Sequence, residues 1–259
     1  QVLLLNQLDD TSLICISSGA ALAVAIMVVL AGPVAGVFGL YSLSIAAFVG
    51  GLVTCLLIFK FAKLSGTFSV TYMLLAGIAI SAITGAATGF LTYLSDDQQL
   101  RAFTFWTMGN LGGAQWPALF VVLTVVIPAI VVLVKYAMQL NLLLLGEQEA
   151  HYLGINIKRL QYIIITCTEL VVGVSVAVSG IIGFIGLVIP HLVRLSIGPD
   201  HRVLIPASTI LGALLLVVAD TFARTIVAPA EMPVGIITSM LGGPFFLWLL
   251  LKQNMTKFN

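Results

Sequence analysis

Runs of apolar residues, separated by short polar or glycine-bearing breaks, recur along the whole chain. Runs of about 20 such residues cross a ~30 Å hydrocarbon core as helices. The pattern predicts eight spans, over approximately 13–31, 39–62, 70–94, 116–138, 159–181, 183–196, 204–226 and 234–252. The sixth is too short for a regular crossing and carries Pro190, so a short or broken span shielded by its neighbours is expected there. The alternating polarity of a membrane β-barrel is absent from the sequence. The expected fold class is therefore all-α: a polytopic helical membrane protein with one transmembrane domain over 1–259.

One break differs from the others. Between two long apolar runs the chain reads Gly146-Glu-Gln-Glu-Ala-His-Tyr-Leu-Gly154. A simple reversal needs only a few loop residues. This segment is long enough for about two helical turns, is charged, and is bounded by glycine at both ends. It has the form of something a cytoplasmic partner grips, in a membrane machine driven from outside itself.

Composition agrees with the pattern. The chain has 259 residues, 60% hydrophobic and 8% charged, where a soluble domain carries roughly 25% charged residues. Mean hydropathy is +1.16. The net charge of +1 carries no message about nucleic acid, and none is expected as a partner. Cys15, Cys55 and Cys167 lie apart in apolar surroundings and read as small buried hydrophobes rather than disulfide or metal ligands. Gln1 is not an initiator residue and no signal-peptide pattern opens the chain, so an N-terminally truncated chain is expected.

Lysine and arginine set the orientation. With the first residues in the cytoplasm, Lys60, Lys63, Lys135, Lys158, Arg159, Arg194, Arg202, Lys252 and Lys257 fall inside, and only Arg101 and Arg224 outside. Nine against two supports eight crossings with both ends cytoplasmic, and puts the Gly146–Gly154 segment in the cytoplasm. The external stretch Ser95–Gln115, with Phe103, Phe105, Trp106 and Trp116 in and beside it, suits an interfacial helix. In the third span Gly77, Ser81, Gly85 and Gly89 recur every four residues beside Ala82 and Ala86. Such a stripe lets backbones approach closely. It fits tight packing within one subunit, a subunit interface or a pathway-lining helix.

The chemistry of the chain is sparse. The sequence contains no phosphate loop of the form Gly-x-x-x-x-Gly-Lys-Ser/Thr, no His-Glu-x-x-His, no Cys-x-x-Cys and no Gly-x-Ser-x-Gly. No catalytic residue, metal ligand or bound cofactor is expected in this chain. Asp220 and Arg224, four apart on one helix, can pair on a single face. They read either as a structural ion pair or as an arginine presented to an acidic external partner. Glu169 lies mid-span, where charge is costly; a hydrogen-bonded or protonated structural carboxyl is favoured over a proton or substrate site. His191 and His201 fall on the cytoplasmic side without a third ligand, and loop and cap roles are expected for them.

Several stretches, in order, resemble one family. They are Gly183-Phe-Ile-Gly-Leu-Val-Ile-Pro-His-Leu-Val-Arg194, Asp200-His-Arg-Val-Leu-Ile-Pro206, Ala219-Asp-Thr-Phe-Ala-Arg224, Glu231-Met-Pro-Val-Gly-Ile-Ile-Thr238 and Gly242-Gly-Pro-Phe-Phe-Leu247. Together they are similar to the BtuC-like permease subunits of type II ABC importers, which carry cobalamin, haem and ferric siderophores. Leu145–Ile155 resembles that family's coupling segment, here about 141–156, and Phe105–Gly113 its external helix region.

The resemblance implies ten helices per subunit, of which this chain would carry eight. It further implies a homodimer in the bilayer of the bacterial inner membrane, two cytosolic ABC ATPase subunits holding ATP and Mg, and a periplasmic substrate-binding protein. By the same resemblance Gly146, Glu147, Glu149, Ala150, His151, Leu153 and Gly154 form the coupling site to the ATPase. Arg224 docks the binding protein. Asn6, Leu8, Ser69, Thr71, Gly77, Ser81 and Gly85 belong to gates and pathway. The first gate departs from the family's Arg-Asn-Pro-Leu-Ala-Asp-Pro, reading Leu5-Asn-Gln-Leu-Asp-Asp-Thr11 with Cys15 in place of a glycine; losing proline and glycine predicts a differently shaped loop. The stretch Ser95–Gly109 looks most like haem permeases, with ferric siderophore and then cobalamin as alternatives. Two other classes stay open: an ion-coupled secondary transporter using Glu169, and a non-transporting degenerate fragment.

Overall fold

A computed structural model describes residues 11–30, 41–62, 70–230 and 232–257. Every regular element among them is helical. That follows from the solvent: in hydrocarbon each N–H and C=O must be satisfied within its own segment, which a helix does.

The long helices are α1 (Thr11–Leu30), α2 (Tyr41–Ala62), α3 (Val70–Leu94), α5 (Trp116–Lys135), α8 (Ile157–Ser179), α10 (His201–Ile226) and α11 (Val234–Lys257). The shorter ones are α4 (Asp97–Thr107), α6 (Ala137–Leu143), α7 (Glu147–Tyr152) and α9 (Ile185–Ile197). Five are long and apolar enough to cross a membrane, over Ser42–Phe61, Tyr72–Leu94, Trp116–Lys135, Ile157–Ser179 and His201–Ile226; shorter apolar helices run over Ile16–Leu30, Ile185–Ile197 and Val234–Trp248. These eight coincide with the eight predicted spans. The short sixth is α9, 13 residues with Pro190 inside it, packed against α10 and α11.

Polar residues start the helices whose ends they cap. Asp96 accepts from the Gln99 N–H while the Gln99 side chain accepts from the Asp96 N–H, a complete capping box for α4. Asn156 caps α8 through the Arg159 N–H, and Asp200 caps α10 through the Arg202 N–H. The fifth predicted span ends earlier than expected. Tyr136 interrupts it after Lys135, and the chain turns into α6.

Packing centres on α1, which lies along α2, α3 and α8. At the α1–α2 crossing a Cβ on Gly50 would run into the Gly19 carbonyl, so the two backbones meet directly. Ala20, Val24, Ala47, Val176 and Ala177 form the buried cluster beside it, closed over by Phe103 and Trp106 of α4. A second group joins α9, α10 and α11, and α5 and α6 bridge between the groups. The third-span stripe divides. Gly77 is buried and Ser81 receives the Ser18 hydroxyl at 3.4 Å, whereas Gly85 and Gly89 would meet nothing within 4 Å. Each step of four residues advances around the helix by roughly 40°, so the stripe winds off the face that α1 covers.

Candidate coupling surface and docking end

The Gly146–Gly154 segment folds as the short helix expected. Gly146 N-caps α7 at φ 111°, ψ 152° and Gly154 follows it at φ 83°. Both lie in the left-handed half of the map that favours glycine. Neither is crowded: a Cβ on either meets nothing within 4 Å. Glu149, His151, Leu153 and Gly154 are exposed, with Tyr152 beside them at 83%. Ala150 corrects the expectation of a contact residue. Its side chain is 0% exposed, because it faces the chain's own interior and seats α7 there. The backbone of Glu147 starts the helix.

Behind α7 lies a polar cluster that the sequence did not reveal. The Asn141 Nδ2 on α6 donates to Asp200 Oδ1 at 2.6 Å. Asn141 Oδ1 accepts from the His201 N–H at 2.8 Å and faces His201 Nδ1 at 2.7 Å. The amide orientation is fixed by its neighbours, a carboxylate on one side and a main-chain donor on the other, so Nδ1 carries the proton. The Arg202 N–H and the Asn141 amide hold the Asp200 carboxyl below its usual range. His201 is thus the first residue of α10, held by Asn141 beside the Asp200 cap, and His191 lies inside α9 rather than in the loop or cap expected. The only sequence signal for Asn141 was a lone amide in a leucine run, Leu140-Asn141-Leu142.

The far end of α10 carries the other expected site. Arg224 Nε donates to Asp220 Oδ2 at 2.7 Å, and Arg224 keeps 49% of its side-chain surface exposed against 21% for Asp220. Pairing and presentation to a partner are therefore compatible. At this same end three backbone segments interlock. The Asn110 N–H donates to the Ser179 carbonyl at 2.8 Å and the Gly235 N–H to the Met108 carbonyl at 3.1 Å. A Cβ on Gly180 would strike the Trp106 carbonyl, one on Gly235 the Met108 carbonyl, and one on Gly109 the Ile181 carbonyl at 2.7 Å.

Asn6, Leu8 and Ser69 lie outside the described residues, and Thr71 falls in the first turn of α3. Glu169 sits apart from both ends, with Cys55, Lys60 and Thr166 around a cavity of about 300 Å³ between α2 and α8. Its Oε2 and the Thr166 hydroxyl are buried without a hydrogen-bond partner in this structure.

A model of the FecCD transport family matches residues 1–252 of this chain. The chain belongs to the FecCD transport family. Among FecCD relatives, the hemin transport system permease protein HmuU of Yersinia pestis is 51% identical over 98% of this chain and 76% of its own length. A putative ABC transporter permease protein of Methanocaldococcus jannaschii is 46% identical over 82% of this chain and 61% of its own. The vitamin B12 import system permease protein BtuC of Vibrio cholerae is 39% identical over 98% and 75%. Among solved structures, an inward-facing conformation of a putative metal-chelate type ABC transporter superposes with a TM-score of 0.86 at 31% identity, covering 97% of this chain and 79% of that one. The BtuC-like all-α architecture read from the motifs is thus this chain's own, and α7 and Arg224 stand at opposite ends of a FecCD permease.

Proposed function

We propose that this permease is the membrane subunit of an ATP-driven importer that carries haem or another iron chelate inward across the bacterial inner membrane. It works as a homodimer with two cytosolic ATPase subunits, which hold ATP and Mg, and with a periplasmic binding protein. The α7 end faces the cytoplasm and Arg224 the periplasm. The observation that carries this reading is α7 itself: a six-residue helix between two positive-φ glycines, exposing Glu149, His151 and Leu153 in an otherwise apolar chain. Such an element is shaped to be moved by a partner that spends the ATP. Haem is favoured because the HmuU relative is 51% identical over 98% of this chain. Cobalamin and ferric siderophore follow, the first supported by the BtuC relatives.

The test is ATP hydrolysis in proteoliposomes holding the permease, its ATPase and its binding protein loaded with haem, a ferric siderophore or cobalamin. Stimulation by one loaded form names the substrate. Stimulation by none rejects the importer. Two variants bear on the ends. Glu149→Arg should uncouple hydrolysis from transport while membrane insertion persists. Arg224→Glu should weaken docking of the binding protein, with recovery when an acidic partner residue is made basic; docking indifferent to the swap would leave Arg224 as the structural partner of Asp220 alone. A secondary transporter working through Glu169 is the competing class, and Glu169→Gln would abolish its transport while an ATP-driven importer loses little.

A further inference from the structure

The coupling helix is joined to α6 by a continuous hydrogen-bonded turn. Leu144, Leu145 and Gly146 donate in succession to the carbonyls of Asn141, Leu142 and Leu143, at 3.2, 3.2 and 3.1 Å. The other side of α7 is bonded too, with Gly154 and Ile155 donating to the carbonyls of His151 and Ala150 at 2.9 and 3.1 Å, so a displacement of α7 reaches both α6 and α8. Two kinds of contact hold α6 to the bundle. Leu140 packs with Leu160 and Ile164 of α8, and that apolar contact is non-directional, so it permits sliding and rotation. The Asn141–Asp200–His201 cluster is directional, with three short contacts at 2.6 to 2.8 Å to the first turn of α10 and its cap. The Arg202 guanidinium lies against Met138 Sδ beside it. From that cap α10 runs for 26 residues, with Pro206 in its second turn, to the Asp220–Arg224 end, about 39 Å at 1.5 Å per residue.

We infer that Asn141 is a positioning residue that clasps α6 to the start of α10, so that movement of the coupling helix is delivered to α10 as a rigid body. The inference rests on the importer reading above and adds a route within it. The sequence makes α6 and α10 separate elements, with Asn141 and Asp200 59 positions apart. The clasp makes them one unit at the end where the ATPase pushes. It also gives the cytoplasmic Asp-His pair of α10 a purpose other than metal ligation.

The test exploits the chemistry of the pair. N141D sets two carboxylates face to face across a 2.6 Å contact, and like charges there repel. N141D/D200N restores a donor and an acceptor with the roles exchanged: Asn at 200 donates, and Asp at 141 still accepts from His201. In proteoliposomes with the ATPase and loaded binding protein, N141D should still co-purify the ATPase but lose transport by roughly tenfold, the scale of coupling carried by a linking residue. The double variant should return to within about threefold of wild type on the same scale. A loss in N141D that D200N does not reverse overturns the inference, because the damage then lies outside the pair. Wild-type transport by N141D overturns it as well, and Glu149→Arg measured alongside shows how far the failure extends. If Glu149→Arg still uncouples, the importer reading stands and only the clasp falls. If both are indifferent, α7 is not the coupling element.

Discussion

The two ends of the molecule use glycine for different reasons. At the α7 end, Gly146 and Gly154 have φ of 111° and 83° with open space where a side chain would project. At the far end, Gly109 and Gly180 have positive φ and are also pressed against carbonyls, while Gly235 is pressed against one with no unusual φ at all. The first arrangement specifies direction of the chain and leaves room to move. The second specifies contact and leaves none. The first has the form of a hinge and the second of a tight belt that keeps helices in register.

A graded series of substitutions can break this contrast. The largest effect is expected for Gly180→Ala, which meets both constraints. Overpacking costs about 1–3 kcal/mol and a strained φ/ψ a further 1–3 or so, so the purified protein should melt well below wild type in detergent. Gly235→Ala follows, with the overpacking cost alone, again of order 1–3 kcal/mol. A melting temperature within a degree or so of wild type for either, where a full-kilocalorie change moves a domain of this size by about 2–4 °C, would show that the belt yields. Gly146→Ala carries only the backbone cost, roughly 1–3 kcal/mol. Its melting temperature should fall about as far as that of Gly235→Ala, but its transport should fall further, since the strain sits at the entry angle of α7; transport equal to that of Gly235→Ala would erase the distinction.

The smallest effect concerns the clasp at the α7 end, between α6 and the start of α10. Asp200 has a lowered pKa in the fold, so its contribution is present above the unfolded value of about 3.9 and is lost as pH falls through the folded one. The melting-temperature difference between wild type and Asp200→Asn should be small at pH 7 and shrink progressively as pH falls below about 4. A gap that widens with acid would refute that sign.

Much of this was legible before any coordinates. The apolar runs located the five long apolar helices and the three shorter ones among the described residues because a run of that length has few alternatives, and the Gly146–Gly154 composition announced a helix between two bends. The misreadings come from what a linear pattern omits. The span predicted to reach 138 breaks at Tyr136 because Ala137 and Met138 continue the apolar pattern across the break between two helices. Ala150 was counted with its neighbours because a two-turn helix has an inner side that only its packing defines. The stripe on α3 stayed open between packing, interface and pathway because a four-residue spacing drifts around the helix and does not say what covers each residue. Asn141 was passed over because its partners lie some 60 residues away. Likewise, Gly180 and Gly235 are visible as glycines, but the carbonyls they accommodate belong to another segment.

The belt also holds a built-in optical probe. The sequence has three tryptophans. Trp116 and Trp248 are 74% and 52% exposed on apolar helices, while Trp106 is partly buried against Val24 and Ala177 with its carbonyl beside Gly180. Brominated lipids would quench the first two and spare the third. With Phe at 116 and 248, the emission colour and lifetime of Trp106 would follow the belt alone through a transport cycle, with no label attached.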